Sequence, residues 1–139
     1  MLALDVGERW IGVAVSEGRV AVPLTIIEHT NRAADIERIA SIARDEGATA
    51  VVVGLPLEMS GDEGPQAKIT RKFGDALAKR LDIPLVYSDE RLSSSDVARA
   101  AGRRMPSRRG IRKRAKPRID DLAATVILQR YIDELERRS

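Results

Sequence analysis

The sequence predicts an α/β domain built on one mixed sheet, three antiparallel strands followed by two parallel ones, with helices on both faces. Three observations carry that expectation. The first 27 residues hold three apolar, β-branched stretches separated by short turns. From Asn31 the apolar residues switch to helical spacing. Thereafter short apolar runs alternate with helical segments, the rhythm of right-handed crossovers between parallel strands. A chain of 139 residues buries one core but not two, so residues 1–139 are expected to form a single domain.

Each element has a local reason. Leu2–Val6 and Ile11–Val15 flank the turn residues Gly7 to Trp10, a hairpin. Ser16–Arg19 turns the chain into Val20–Ile27, where Pro23 favours an edge strand or a break in the ladder. Ile36, Ile39, Ala40 and Ala43 mark a helix near 32–46, with Asn31 as its cap and Gly47 just past its end. Ala50–Gly54 is a continuous apolar run of the kind buried on both faces of a sheet. A loop from Glu58 to Pro65 follows, then a helix marked by Phe73, Ala76, Leu77, Arg80 and Leu81 that ends before Pro84. Leu85–Tyr87 is a further strand leading into Ser88-Asp-Glu-Arg-Leu92, and a serine near Ser93 can cap another helix, with Asp96 near its third position. Leu122, Ala123, Val126, Ile127, Leu128, Tyr131 and Leu135 place a long amphipathic helix at 120–137.

Composition narrows the function. Cysteine is absent and His29 is the single histidine, which removes disulfides, thiolate nucleophiles and histidine metal clusters, so a bound metal would rest on carboxylates. No apolar run is long enough to span a bilayer, and the amino-terminal residues lack the features of a secretory signal. A cytoplasmic protein with no membrane partner is expected. The net charge of +3 hides a strong asymmetry. Between Val97 and Ile119 stand ten basic residues and no acid: Arg99, Arg103, Arg104, Arg108, Arg109, Arg112, Lys113, Arg114, Lys116 and Arg118. The remainder carries 14 basic and 21 acidic residues, a charge of −7. Such a block suits a polyphosphate, because each arginine that pairs with a phosphate releases condensed counterions; the bland alternative is a solvated, solubilising segment.

Isolated acids locate the chemistry. Asp5 stands among Leu2, Leu4 and Val6, where a carboxylate is costly unless it is paired or binds a cation; the alternative is a turn aspartate bonded to the Gly7 turn. Asp89 and Glu90 follow a parallel strand at its carboxyl end, where open α/β sheets place ligand-contacting groups. Asp120 and Asp121 open the last helix, where acids also complement the helix dipole. Asp5, Glu90 and Asp120 come from three distant segments that the predicted fold could bring to one sheet edge. Converging carboxylates beside a cationic block suit phosphodiester hydrolysis, with two divalent ions, Mg2+ or Mn2+, flanking the phosphorus.

Four motifs stand in order, Asp5-Val-Gly7, Gly54-Leu-Pro-Leu-Glu-Met-Ser-Gly61 with Glu63-Gly64, Asp89-Glu-Arg-Leu-Ser93, and Ile119-Asp-Asp-Leu-Ala-Ala124 followed by Ile127-Leu128, and together they resemble the YqgF family. They span nearly the whole chain. The resemblance implies a ribonuclease-H-like fold and a metal-dependent nuclease that trims the 5′ end of pre-16S rRNA in ribosome biogenesis, the family being linked to Holliday-junction resolvases as well. It further implies Asp5, Glu90 and Asp120 as catalytic acids and metal ligands, with the neighbouring Asp121 a further candidate ligand. Arg91 and Lys116 become the nearest phosphate contacts, beside Arg103, Arg104, Arg108, Arg109, Arg112, Lys113, Arg114 and Arg118.

Other classes are weighed by size and composition. Sugar-kinase and actin-like ATPases share an Asp-x-Gly hairpin but need two such domains. A non-catalytic nucleic-acid-binding module needs only the basic block. Four aromatic residues, Trp10, Phe73, Tyr87 and Tyr131, argue against recognition by base stacking. A junction resolvase would work as a two-fold dimer, whereas trimming an RNA end needs only a monomer, the state favoured here, a dimer being the alternative.

Overall fold

The computed structural model describes residues 1–90 and 123–138. In chain order the elements are β1 (Leu2–Val6), β2 (Trp10–Glu17), β3 (Val20–Glu28), α1 (Arg32–Asp45), β4 (Val51–Leu55), α2 (Pro65–Arg80), β5 (Leu85–Asp89) and α3 (Ala123–Arg138). The strands form one sheet in the order β3-β2-β1-β4-β5. The β1–β2 and β2–β3 pairs are antiparallel, and the β1–β4 and β4–β5 pairs are parallel. This is the predicted mixed sheet. The helix expected near Ser93 and the whole basic segment lie outside the described residues.

Strand alternation sorts the apolar side chains into two cores. Leu2, Leu4 and Val6 of β1 pack with Ile36, Ile39 and Ala43 of α1 and with Phe73 and Leu77 of α2 on one face. Ala3, Ala14 and Val52 pack with Ala124, Ile127, Leu128 and Ile132 of α3 on the other. Val51, Val52 and Val53 are fully buried, as a central parallel strand covered on both faces requires. Pro23 sits on β3, at one end of the strand order, and the β2–β3 register slips between Val13 and Ala14, so the edge and the ladder break occur together.

Near the site, two boundaries and one buried face differ from expectation. β5 continues to Asp89, because Ser88 and Asp89 pair with Gly54 and Leu55 of β4, so Asp89 belongs to the strand and not to the loop after it. α2 reaches back to Pro65, whose fixed φ suits a first helical position. On α3 the buried positions are Ala124, Ile127, Leu128 and Ile132, while Val126 and Leu135 are exposed. Counting apolar residues located that helix but not the rotation of its buried face.

Candidate active site

Asp5 and Ala3 share one face of β1, and Ala3 belongs to the core under α3, so Asp5 faces α3 near the carboxyl end of the strand. It pairs with Gly12 of β2. A Cβ placed on Gly12 would lie 3.8 Å from the Asp5 Cβ and 3.7 Å from the Ala124 Cβ, which sets the first turn of α3 beside the Asp5 position. The Asp5 side chain is half-buried, and no hydrogen-bond donor among the described residues reaches its carboxylate. Burial alone therefore pushes its pKa above the ordinary 3.8. The turn-aspartate alternative is not what forms, since the Gly7 amide donates to the Trp10 carbonyl at 2.9 Å.

Glu90 arrives on the same face two strands away. Val52 and Val86 both pack toward α3, which puts Gly54, Ser88 and Glu90 on that side by alternation. Adjacent strands are about 4.8 Å apart, so the β1 and β5 backbones are separated by roughly 10 Å. Between them lies Gly54, one position beyond the last β1–β4 pair, Leu4–Val53. A Cβ on Gly54 would lie 3.2 Å from Glu90 Cγ and would collide with Ile127 Cδ1. The bare backbone of β4 thus lets the Glu90 stem lie over it, on the β1 side of its own strand. The Glu90 amide donates to the Leu55 carbonyl at 3.0 Å, which fixes the turn out of β5. Its Oε2 accepts from Ser88 Oγ at 2.9 Å and its Oε1 from Arg130 Nη1 at 2.9 Å. Burial raises the Glu90 pKa, and the Ser88 and Arg130 contacts only partly offset it.

Two of the acids expected at the site are therefore on one face at one end of the sheet. Asp120, Asp121, Arg91 and the ten-residue basic set lie outside the described residues. Among the described residues no third acid or histidine joins Asp5 and Glu90 in a metal-binding group. Sequence reasoning missed Ser88 and Arg130. Ser88 was within reach of it as the residue two before Glu90 on a strand, hence on the same face; Arg130, 40 residues from its partner, carried no local signal.

A second network braces the turn behind Asp5. His29 Nδ1 lies 2.8 Å from Asp35 Oδ2 and Nε2 lies 2.9 Å from the Gly7 carbonyl. The ring thus stands between a carboxylate and a carbonyl, one on each nitrogen. Asp35 is 1% exposed and also accepts from the Thr30 amide and hydroxyl, at 3.1 and 3.2 Å. Burial raises its pKa, but the bonds from His29 and Thr30 outweigh that and leave it below 3.8. The contribution to stability is thus complete above the unfolded value and is lost as pH falls through the lower folded one. Asp35→Asn is expected to cost about 2–3 kcal/mol at neutral pH, the scale of a charged hydrogen-bond network. Urea midpoints should show that gap closing as the pH falls below 3.8.

A family model described as RuvX, Holliday junction resolvase, matches residues 1–134. The chain belongs to the RuvX family. Curated relatives agree over nearly their full lengths. A Roseiflexus sp. (strain RS-1) protein named "Putative pre-16S rRNA nuclease" is 44% identical, covering 96% of this chain and 93% of its own. A Chloroflexus aggregans protein of the same name is 45% identical, covering 96% and 92%. Thermus thermophilus RuvC, in a structure with a Holliday junction substrate, superposes with a TM-score of 0.56 at 15% identity, covering 98% of this chain and 96% of that one. That likeness establishes the fold, the ribonuclease-H-like one. RuvX-family membership makes the protein a nuclease, an enzyme that hydrolyses phosphodiester bonds in nucleic acid. No described helix is long and apolar enough to cross a membrane.

Proposed function

We propose that this RuvX-family protein is a divalent-metal-dependent nuclease that processes the 5′ end of pre-16S rRNA, acting as a cytoplasmic monomer in maturation of the small ribosomal subunit. The observation that carries the chemistry is the half-buried Asp5 carboxylate, without a donor among the described residues, on the same face and end of the sheet as Glu90. A cation supplies what that carboxylate lacks, and an all-oxygen donor set suits Mg2+ or Mn2+. Asp5, Glu90 and Asp120 would hold the metal, with Asp121 as a further ligand. Chain connectivity supports this, because Asp120 is four residues from Ala124, whose Cβ lies close to the Gly12–Asp5 pair. Bound there, divalent ions would supply an activated water and charge stabilisation at the leaving oxygen.

The protein's own residues do the rest. Ser88 donates to Glu90 Oε2 and sets its rotamer, while the His29–Gly7 bond holds the turn two residues beyond Asp5. Arg91, Lys116 and the remaining basic residues of 103–118 would neutralise the flanking phosphates. With about five phosphates neutralised on a single strand, affinity should fall about 100-fold between 50 and 200 mM salt. Fluorescence anisotropy across that range checks it.

The relatives' shared name favours RNA, whereas the family description favours a branched DNA, so the deciding experiment sets both beside each other. A single-stranded RNA carrying the precursor 5′ region and a four-way DNA junction are incubated with Mg2+ or Mn2+ and wild type or Asp5→Asn. Metal-dependent RNA cutting lost in the variant is the expected result. Junction cutting alone would make the protein a resolvase, and binding without cutting of either would make it a non-catalytic module.

A further inference from the structure

We propose that Arg130 is a latch on Glu90: its guanidinium holds the carboxylate while no cation is bound and exchanges onto a substrate phosphate when one arrives. The inference rests on the metal-site reading above and adds to it a residue that acts on the order of binding.

The pairing is a choice made by this side chain. Arg130 stands on α3 with two acids on the next turn, Asp133 and Glu134, at the spacings where helical ion pairs form. Among the described residues neither is paired with it. Asp133 Oδ1 accepts from Gln129 Nε2 at 3.1 Å, and Glu134 Oε1 from Arg138 Nη2 at 3.4 Å. Arg130 instead crosses from helix to strand end and places Nη1 2.9 Å from Glu90 Oε1.

The contact is also incomplete, as a releasable one should be. It is made through one nitrogen, and Nε and Nη2 have no acceptor among the described residues. A brace would use the bidentate fork of which arginine is capable. The Arg130 side chain is 54% exposed and that of Glu90 16%. The arginine can therefore swing into solvent when it leaves, whereas a Glu90 left without any cation keeps a largely buried charge. A metal ion approaching Glu90 meets an oxygen already occupied by positive charge. Once displaced, the guanidinium remains at the rim of the site with its planar fork unspent, the geometry that recognises phosphate.

The test measures Mn2+ affinity of the full chain by calorimetry without nucleic acid, for wild type, Arg130→Gln, Arg130→Lys and Asp5→Asn, followed by KM for the cleaved substrate at saturating Mn2+. Removing a competing cation should tighten Mn2+ binding about fivefold in Arg130→Gln, a change on the scale of a partly exposed ion pair. Arg130→Lys should fall between it and wild type, and KM should rise in Arg130→Gln. Tight wild-type binding abolished by Asp5→Asn, but unchanged or weakened by Arg130→Gln, would overturn the latch and leave the metal site standing. A lowered melting temperature with no change in affinity would likewise make Arg130 a brace between α3 and β5. Mn2+ binding that is absent in wild type, or indifferent to Asp5→Asn, would overturn the metal site and the latch together.

Discussion

Asp5→Asn is expected to abolish phosphodiester cleavage and at the same time to raise the melting temperature. The first effect follows from the proposed role: losing ~4 kcal/mol of transition-state stabilisation slows a reaction about 10³-fold. The second follows from the burial of Asp5 without a donor among the described residues. Its folded pKa lies above 3.8, so the folded protein binds this proton more tightly than the unfolded chain does. Stability therefore declines as pH rises through the raised value, and at neutral pH the ionised Asp5 opposes folding. Asparagine has nearly the same shape and no charge, and a rise of about 2–5 °C is the scale for relieving such a group in a domain of this size. Thermal melts with and without Mn2+ separate the causes. The ion should stabilise wild type and leave Asp5→Asn unmoved, while binding of nucleic acid at low salt persists in both. A variant less stable than wild type at neutral pH would show that Asp5 has a structural partner instead.

Elements specified by local pattern could be read from the sequence, and contacts specified by long-range packing could not. Ile36, Ile39, Ala40 and Ala43 are all buried on α1, because four positions at helical spacing define a face whatever it packs against. The apolar run before Gly54 fixed the central strand for a similar reason: only a strand covered on both sides keeps three valines fully buried. On α3 the apolar residues are spread more widely than the buried stripe, so Val126 and Leu135 were grouped with the core and Ala124 and Ile132 were not. At the proposed site, Asp5 stands out in the sequence because a carboxylate beside apolar strand residues violates the local rule, and Glu90 because it follows a parallel strand at its carboxyl end. The residues around them obey local rules. Arg130 looks like any charged residue on the solvent side of a helix, and Asp35 like any acid in a first helical turn. Arg130 shows its role only once α3 packs over the end of β5, and Asp35 only once α1 sets it beside His29 and Thr30.

Gly54 is where that convergence is most sensitive, and Gly54→Ala should be the most damaging small substitution on β4. The added Cβ would collide with Ile127 Cδ1, with Ile127 Cγ1 at 3.1 Å and Glu90 Cγ at 3.2 Å. Ile127 is buried against the sheet; a turn about χ2 can move Cδ1, but Cγ1 at 3.1 Å is held by the one dominant χ1 of a β-branched side chain in a helix. Either α3 lifts from the sheet or Ile127 leaves its rotamer, at a cost of about 1–3 kcal/mol. Glu90 must move as well, which predicts lost cleavage beyond what reduced stability explains. The two consequences separate in a double variant. Ile127→Val removes Cδ1, the atom in hardest contact, so Gly54→Ala should cost less in that background than alone, a coupling that a double-mutant cycle in urea reads directly. Cleavage should stay low in the same protein, because the contact with Glu90 Cγ persists. Activity that returned along with stability would show that Gly54 serves only the packing of α3, and that the reach of Glu90 over β4 has no part in the chemistry.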